Sequence, residues 1–212
     1  MYSFILNWSE FLSTLIPIIV WIVKRPTVKF LAPIVFYLWA ALILNFLIDE
    51  SFIGFFETNN LLIYNILSIT RVSLFTLFFF NLNIPAHRII RTALFPIIIL
   101  LLIAFIIKEP ITFFNSNIFS LEAVISIILS ILFFFKIMQS DSIQKFGISL
   151  LIVTGIFIYE SCCFFLFLFY AYLIYADPQF AIKIWNIHNL VYFVFCLYIS
   201  KGFIEFSKYE MD

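Results

Sequence analysis

Glu10, Arg71, Glu122 and Glu160 are ionisable residues set inside long apolar stretches, and groups in that setting mark where chemistry or recognition concentrates. A charged side chain at the centre of a bilayer costs roughly 2.5–3.5 kcal/mol even on the lenient insertion scale, so each should turn inward and find a partner. Arg71 is the only basic residue deep in such a stretch, and Glu160 is the acid expected nearest its depth. An intramembrane Arg71–Glu160 ion pair is therefore the expected solution.

Other polar residues gather around these at helical spacing. Glu10 and Thr14 share a face, as do Tyr37, Ala41 and Asn45, and as do Tyr64, Asn65, Ser68 and Arg71. Glu122, Ser126 and Ser130 form a further stripe, and Trp185, Asn189, Tyr192, Cys196 and Ser200 form another, with His188 beside it. Carboxylates and an imidazole could carry protons, and asparagine, glutamate and arginine could hold a small polar ligand by hydrogen bonds. The expected ligand-binding set is Glu10, Asn45, Asn65, Arg71, Glu122, Glu160, His188 and Asn189. No nucleophile–base pair is recognisable, so no catalytic residue is expected. His87 and His188 lie in different stretches without ligand spacing. Cys162, Cys163 and Cys196 all sit in apolar surroundings and read as reduced packing residues. Neither a metal nor haem nor any other cofactor is expected.

The elements that must position these residues follow from composition. Hydrophobic residues make up 65% of the chain and charged residues 11%, with a mean hydropathy of +1.15. A soluble domain carries about a quarter charged residues, so lipid must be the outer solvent here. Net charge is zero, which gives no support to a nucleic-acid partner. The abundance of Phe (31 residues) reads as a coding bias rather than a functional signal. The start of the chain has no Lys or Arg ahead of its first apolar run, so that run is expected to stay in the mature protein rather than leave as a signal peptide.

A membrane-spanning helix needs about 20 apolar residues. Seven stretches qualify, at about 4–23, 30–48, 61–81, 93–107, 119–138, 147–174 and 183–204. Continuous apolar runs without alternation make helices, not a barrel. The expected fold is all-α, a single seven-transmembrane-helix bundle over residues 1–212. The fourth stretch carries no polar residue of this kind and is expected to lie peripherally. Asp177-Pro178-Gln179 is expected in an outer loop.

Basic residues orient the bundle. Lys24, Arg25, Lys29, Arg88, Arg91, Lys136, Lys145, Lys201 and Lys208 fall at one end, against Lys108 and Lys183 at the other. The N-terminus is then outside and the C-terminus cytoplasmic, in a bacterial inner membrane. At about 1.5 Å of rise per residue, most of the polar residues fall in the outer half. The expected site is a pocket open to the outside, floored by Arg71 and Glu160.

Two stretches carry a resemblance. Asn60-Leu-Leu-Ile-Tyr-Asn-Ile-Leu-Ser-Ile-Thr-Arg71 and Trp185-Asn-Ile-His-Asn189 resemble small uncharacterised seven-helix membrane proteins of the Bacteroidota type. The resemblance implies a seven-helix fold and no particular activity. This chain departs from the pattern at Arg71, where that family carries a glutamate. Microbial rhodopsins fit poorly, since Lys201 lies near the inner end of its stretch, and so do small sugar carriers.

An outward polar pocket over a nearly dry inner half suits a small-ligand sensing or binding module. With no output domain in view, such a module would act through a membrane or cytoplasmic protein partner. The alternatives are a small-solute or proton-coupled transporter, using Glu10, Glu122, Glu160 and His188, and a structural subunit of a larger membrane complex. Membrane lipid and a small-molecule ligand from the outer side are the other partners expected.

Overall fold

The computed structural model describes residues 8–26, 29–47, 60–82, 115–140 and 146–209, together with helical residues 103, 107 and 108. Six long helices account for nearly all of them. They are α1 (Ser9–Lys24), α2 (Ala32–Leu47), α3 (Asn60–Asn81), α4 (Ser116–Met138), α5 (Gly147–Ala176) and α6 (Pro178–Tyr209). A short 3₁₀ turn, Lys29–Leu31, precedes α2. The described residues contain no strand. The fourth expected stretch lies almost entirely outside them.

Local chemistry fixes the helix ends. α1 stops at Arg25, whose φ of 46° is left-handed and whose N–H donates to the Trp21 carbonyl at 2.7 Å. Pro26 follows and cannot continue the helix. Pro33 falls in the first turn of α2, where a missing N–H costs nothing. Asn115 caps α4, its Oδ1 accepting from the Ile118 N–H at 3.1 Å. Lys136 Nζ donates to the Leu82 carbonyl at the end of α3, 2.6 Å away.

One sequence expectation needs correcting. Asp177-Pro178-Gln179 does not form a loop. α5 runs to Ala176, α6 begins at Pro178, and Asp177 alone connects them. Asp177 Oδ1 accepts from the Phe180 N–H at 3.0 Å, and Pro178 supplies a helical φ in the first position. Aspartate followed by proline is a helix-start signal, and it lengthens the last helix by five residues over the expected 183–204.

The six helices close a ring. Each packs on the next in chain order, and α6 returns to pack on α1. Contacts at both ends set the directions. Tyr37 meets Phe75 and Phe30 meets Phe78, so α2 and α3 are antiparallel. Asn65 reaches Asn115 at one end while Leu82 meets Lys136 at the other, so α3 and α4 are parallel. Phe119 packs on Phe167 and Phe133 on Phe146, which makes α5 antiparallel to α4. Glu10 meets Trp185 and Thr14 meets Tyr192, so α1 and α6 are parallel. Consequently α1, α3, α4 and α6 all begin at the same end of the bundle, called here the Glu10 end.

α5 and α6 approach closely at two glycines. A Cβ on Gly155 would fall 2.6 Å from the Tyr198 Cβ, and one on Gly202 would fall 2.9 Å from the Ile152 Cγ1. Small residues at such crossings let helix backbones pack tightly where lipid supplies no hydrophobic drive.

The outer surface is apolar: Val23, Phe36, Phe165, Tyr172 and Tyr175 are each exposed by more than 60%. Among the described residues, five helices are long and apolar enough to cross a bilayer, spanning Lys29–Leu47, Leu62–Asn81, Ser116–Met138, Gly147–Tyr170 and Pro178–Phe206. Water could not solvate such a surface, so the chain is an integral membrane protein.

Candidate functional site

The centre of the site is Arg71, 3% exposed and set midway along α3. Its guanidinium makes a two-pronged contact with Glu122 of α4. Nε donates to Oε1 and Nη2 donates to Oε2 at 3.0 Å. The third nitrogen, Nη1, donates to the Tyr159 hydroxyl of α5. Ser68, one turn before Arg71, donates to Glu122 Oε2. The guanidinium carbon also lies 5.0 Å from the Tyr159 ring centre and 6.0 Å from that of Phe167.

Glu160 Oε1 lies 3.9 Å from Arg71 Nε, so the expected pair is present at long range. The closer partner is Glu122, which depth counting had placed too far away. α3 and α4 run parallel with Asn65 beside Asn115, and that register sets Arg71, six residues on, level with Glu122, seven residues on. Glu160 is fully buried, and neither of its oxygens has a hydrogen-bond partner among the described residues.

From Arg71 the contacts continue toward the Glu10 end. The Tyr159 hydroxyl lies 2.9 Å from His188 Nε2. His188 Nδ1 lies 3.3 Å from Asn189 Oδ1 and 3.6 Å from Glu10 Oε1. Trp185 Nε1 donates to the same Glu10 oxygen at 3.0 Å. Beside this chain, Tyr192 stacks on His188 and shares hydrogen bonds with Thr14 at 2.9 Å and Tyr37 at 3.4 Å. Five helices thus contribute to one connected polar centre through Glu10, Arg71–Glu122, Tyr159 and His188, and α2 joins it through Tyr37.

Of the eight expected residues, six come together: Glu10, Arg71, Glu122, Glu160, His188 and Asn189. Asn65 is buried, but its Oδ1 accepts from the Asn115 N–H at 3.2 Å and so ties α3 to the start of α4. Asn45, near the end of α2, has no hydrogen-bond partner among the described residues and does not line the cavity. Residues outside the expected set carry much of the centre, above all Tyr159, Trp185, Tyr192 and Tyr64. Tyr64, Trp185 and Tyr192 belong to the polar stripes of the sequence, and Tyr159 adjoins Glu160. Tyrosine and tryptophan in membrane helices ordinarily anchor at the interface, which masks an interior role.

The expected open cup is not what these side chains build. The space among Glu10, Tyr64, Arg71, Tyr159, Trp185 and His188 is about 10 Å³, room for about one water. Aromatic side chains fill the rest: Tyr64 packs edge-on to Trp185 at 5.0 Å, and Trp185 lies 4.7 Å from His188. Beyond Arg71, toward the other end, no charged side chain is buried among the described residues, and the only buried polar groups there are hydroxyls such as those of Thr76, Ser130 and Ser200. Phe75, Phe78, Phe133, Ile152, Phe195 and Phe203 are all essentially inaccessible. Among the described residues no group of three or more His, Cys, Asp and Glu is arranged to hold a metal ion. Compared with family models, with curated proteins and with solved structures, the chain matches none.

Proposed function

We propose that this protein is a small-ligand sensing or binding module of a bacterial cytoplasmic membrane, acting through a protein partner. The observation that carries the reading is the contrast between the two halves of the bundle. A connected polar centre occupies the Glu10 half, and a plug of buried phenylalanine and isoleucine closes the other. A carrier needs polar groups along its whole path, whereas a recognition site needs them at one end only. In this reading the bundle crosses the membrane seven times. Support comes from the parallel course of α3 and α4, which puts the end of α3 and the start of α4 at opposite ends of the bundle. The excess of Lys and Arg at the far end puts the Glu10 end outside.

Recognition in such a site works by rearrangement. The closed cavity holds about one water, so a ligand larger than that must displace the Trp185 and Tyr64 side chains. Trp185 is tied to Glu10, and His188 to Tyr159 and hence to Arg71. Movement at the mouth is thereby coupled to four helices, and a partner touching any of them could read it.

A proton-coupled transporter is the second reading, and one observation favours it. Glu160 is buried without a hydrogen bond, and a chain of side chains joins Glu10 to Arg71 beside it. The experiment that separates the two is a pH step imposed on proteoliposomes loaded with a pH-sensitive dye. The sensing reading predicts no proton entry above protein-free liposomes. Entry that is lost in Glu160→Gln would replace it with the transporter.

A further inference from the structure

The pocket's charge and walls specify what kind of ligand it would accept. Two carboxylates, Glu122 and Glu160, flank a single guanidinium, and a third, Glu10, stands nearer the mouth beside His188 and Trp185. Every nitrogen of that guanidinium is engaged by protein: Nε and Nη2 by Glu122, Nη1 by Tyr159. Three of its five N–H groups are thus committed, the Nε–Nη2 edge to Glu122, and the carboxylates of the centre outnumber its one guanidinium. Buried charge of one sign in a low-dielectric interior calls for a compensating cation.

The walls point the same way. Tyr37, Tyr64, Tyr159, Trp185 and Tyr192 line the space, and aromatic faces attract cations through their ring quadrupoles. Both side-chain contacts of Glu10 among the described residues fall on Oε1. Its other oxygen remains for a donor, and the Glu10 side chain keeps 10% exposure at the mouth. The cavity, about 10 Å³, matches a single water-sized group, and a primary ammonium nitrogen is of that size.

We propose that the pocket bounded by Glu10, Tyr64, Trp185 and His188 binds the ammonium group of a small organic amine. This rests on the binding-module reading and gives it a ligand class. The ammonium donates to Glu10 and sits against the Trp185 and Tyr64 rings, while Arg71 stays committed to Glu122 as a fixed floor. The proposal needs no transfer of atoms or electrons; it is recognition of charge, size and aromatic surround.

The test is thermal unfolding of the purified full chain in detergent at constant ionic strength, titrated with methylammonium, and in parallel with methanol, acetate and sodium. Methylammonium should raise the unfolding temperature saturably, since a ligand of the native state stabilises it by mass action. Methanol, acetate and sodium should leave it unchanged. Glu10→Gln should weaken the methylammonium response roughly tenfold or more, the equivalent of one charge-assisted hydrogen bond. Trp185→Phe, which keeps an aromatic ring but loses the bond to Glu10, should weaken it less, and it guards against a folding failure in the first variant. A saturable response to acetate or methanol instead would overturn the amine while leaving a binding pocket in place. Stabilisation by acidification alone, with no methylammonium response, would also overturn it and assign the excess charge to a proton. No response to any probe or to pH would remove both this inference and the binding-module reading.

Discussion

The two carboxylates beside Arg71 are chemically identical, yet the structure assigns them unequal energies. Glu122 takes two nitrogen donors and a serine hydroxyl, whereas Glu160 lies 3.9 Å from Nε and accepts no hydrogen bond among the described residues. At these separations the Coulomb attraction to Arg71 is similar for both, about 4 kcal/mol at an effective dielectric of 20. The difference is the hydrogen bonding, which for charged groups contributes roughly 1.5–3 kcal/mol per bond. Cycles measured in membrane proteins run lower, about 0.6 kcal/mol on average for interhelical bonds. A double-mutant cycle should therefore find Arg71 coupled to Glu122 more strongly than to Glu160 by about 2 kcal/mol. The cycle compares Arg71→Ala with Glu122→Ala and with Glu160→Ala, read by reversible unfolding in mixed micelles or bicelles. In the same assay Glu122→Gln should cost about 3 kcal/mol, as expected when a buried pair loses one charge, and Glu160→Gln less than about 1 kcal/mol. Equal couplings, or the larger one at Glu160, would refute the geometry and restore the pairing that depth alone suggested.

Three further outcomes follow from single contacts. Gly155→Leu should destabilise the bundle by about 1–3 kcal/mol, because even a Cβ there would meet the Tyr198 Cβ at 2.6 Å; Gly147→Ala, with open space around it, serves as the neutral control in the same unfolding assay. Tyr159→Phe removes the hydroxyl between Arg71 and His188 and leaves a buried guanidinium N–H and a buried imidazole nitrogen unmatched, which should cost about 1–3 kcal/mol in thermal or denaturant unfolding. Asp177→Ala should cost about 1 kcal/mol through the lost cap on α6, and amide exchange should quicken at Phe180 while Tyr192 stays protected.

Much of the fold was legible because the signal is redundant. Each helix is at least 16 residues long and mostly apolar, so errors at single positions do not matter. The exception was Asp177-Pro178, where a polar triplet looked like a loop although aspartate and proline are also the residues that start a helix. The site was legible as a layer and not as a set of pairs. Charge and helical spacing brought Glu10, Arg71, Glu122, Glu160, His188 and Asn189 to one end of the bundle. They could not rank Glu122 above Glu160, because the register of α3 against α4 is set by contacts such as Asn65 with Asn115, between residues distant in sequence. Nor could spacing show that Trp185, Tyr64 and Tyr159 close the cup, since rotamers depend on neighbours distant in sequence. Asn45 and Asn65 illustrate the remaining ambiguity: an amide in an apolar helix can serve a site or staple two helices, and its sequence neighbourhood is the same in both cases.

Accessibility of the two ends of the bundle from opposite sides of the membrane tests the central claim most directly. In a background with Cys162, Cys163 and Cys196 replaced by alanine, Asp177→Cys, Trp185→Cys and Arg25→Cys are treated in intact cells with a membrane-impermeant thiol reagent. A sensing centre at the outer end predicts labelling at 177, slower labelling at 185, and labelling at 25 only after the cells are permeabilised. Labelling at 25 from outside, with 177 and 185 protected until permeabilisation, would invert the bundle and contradict the account.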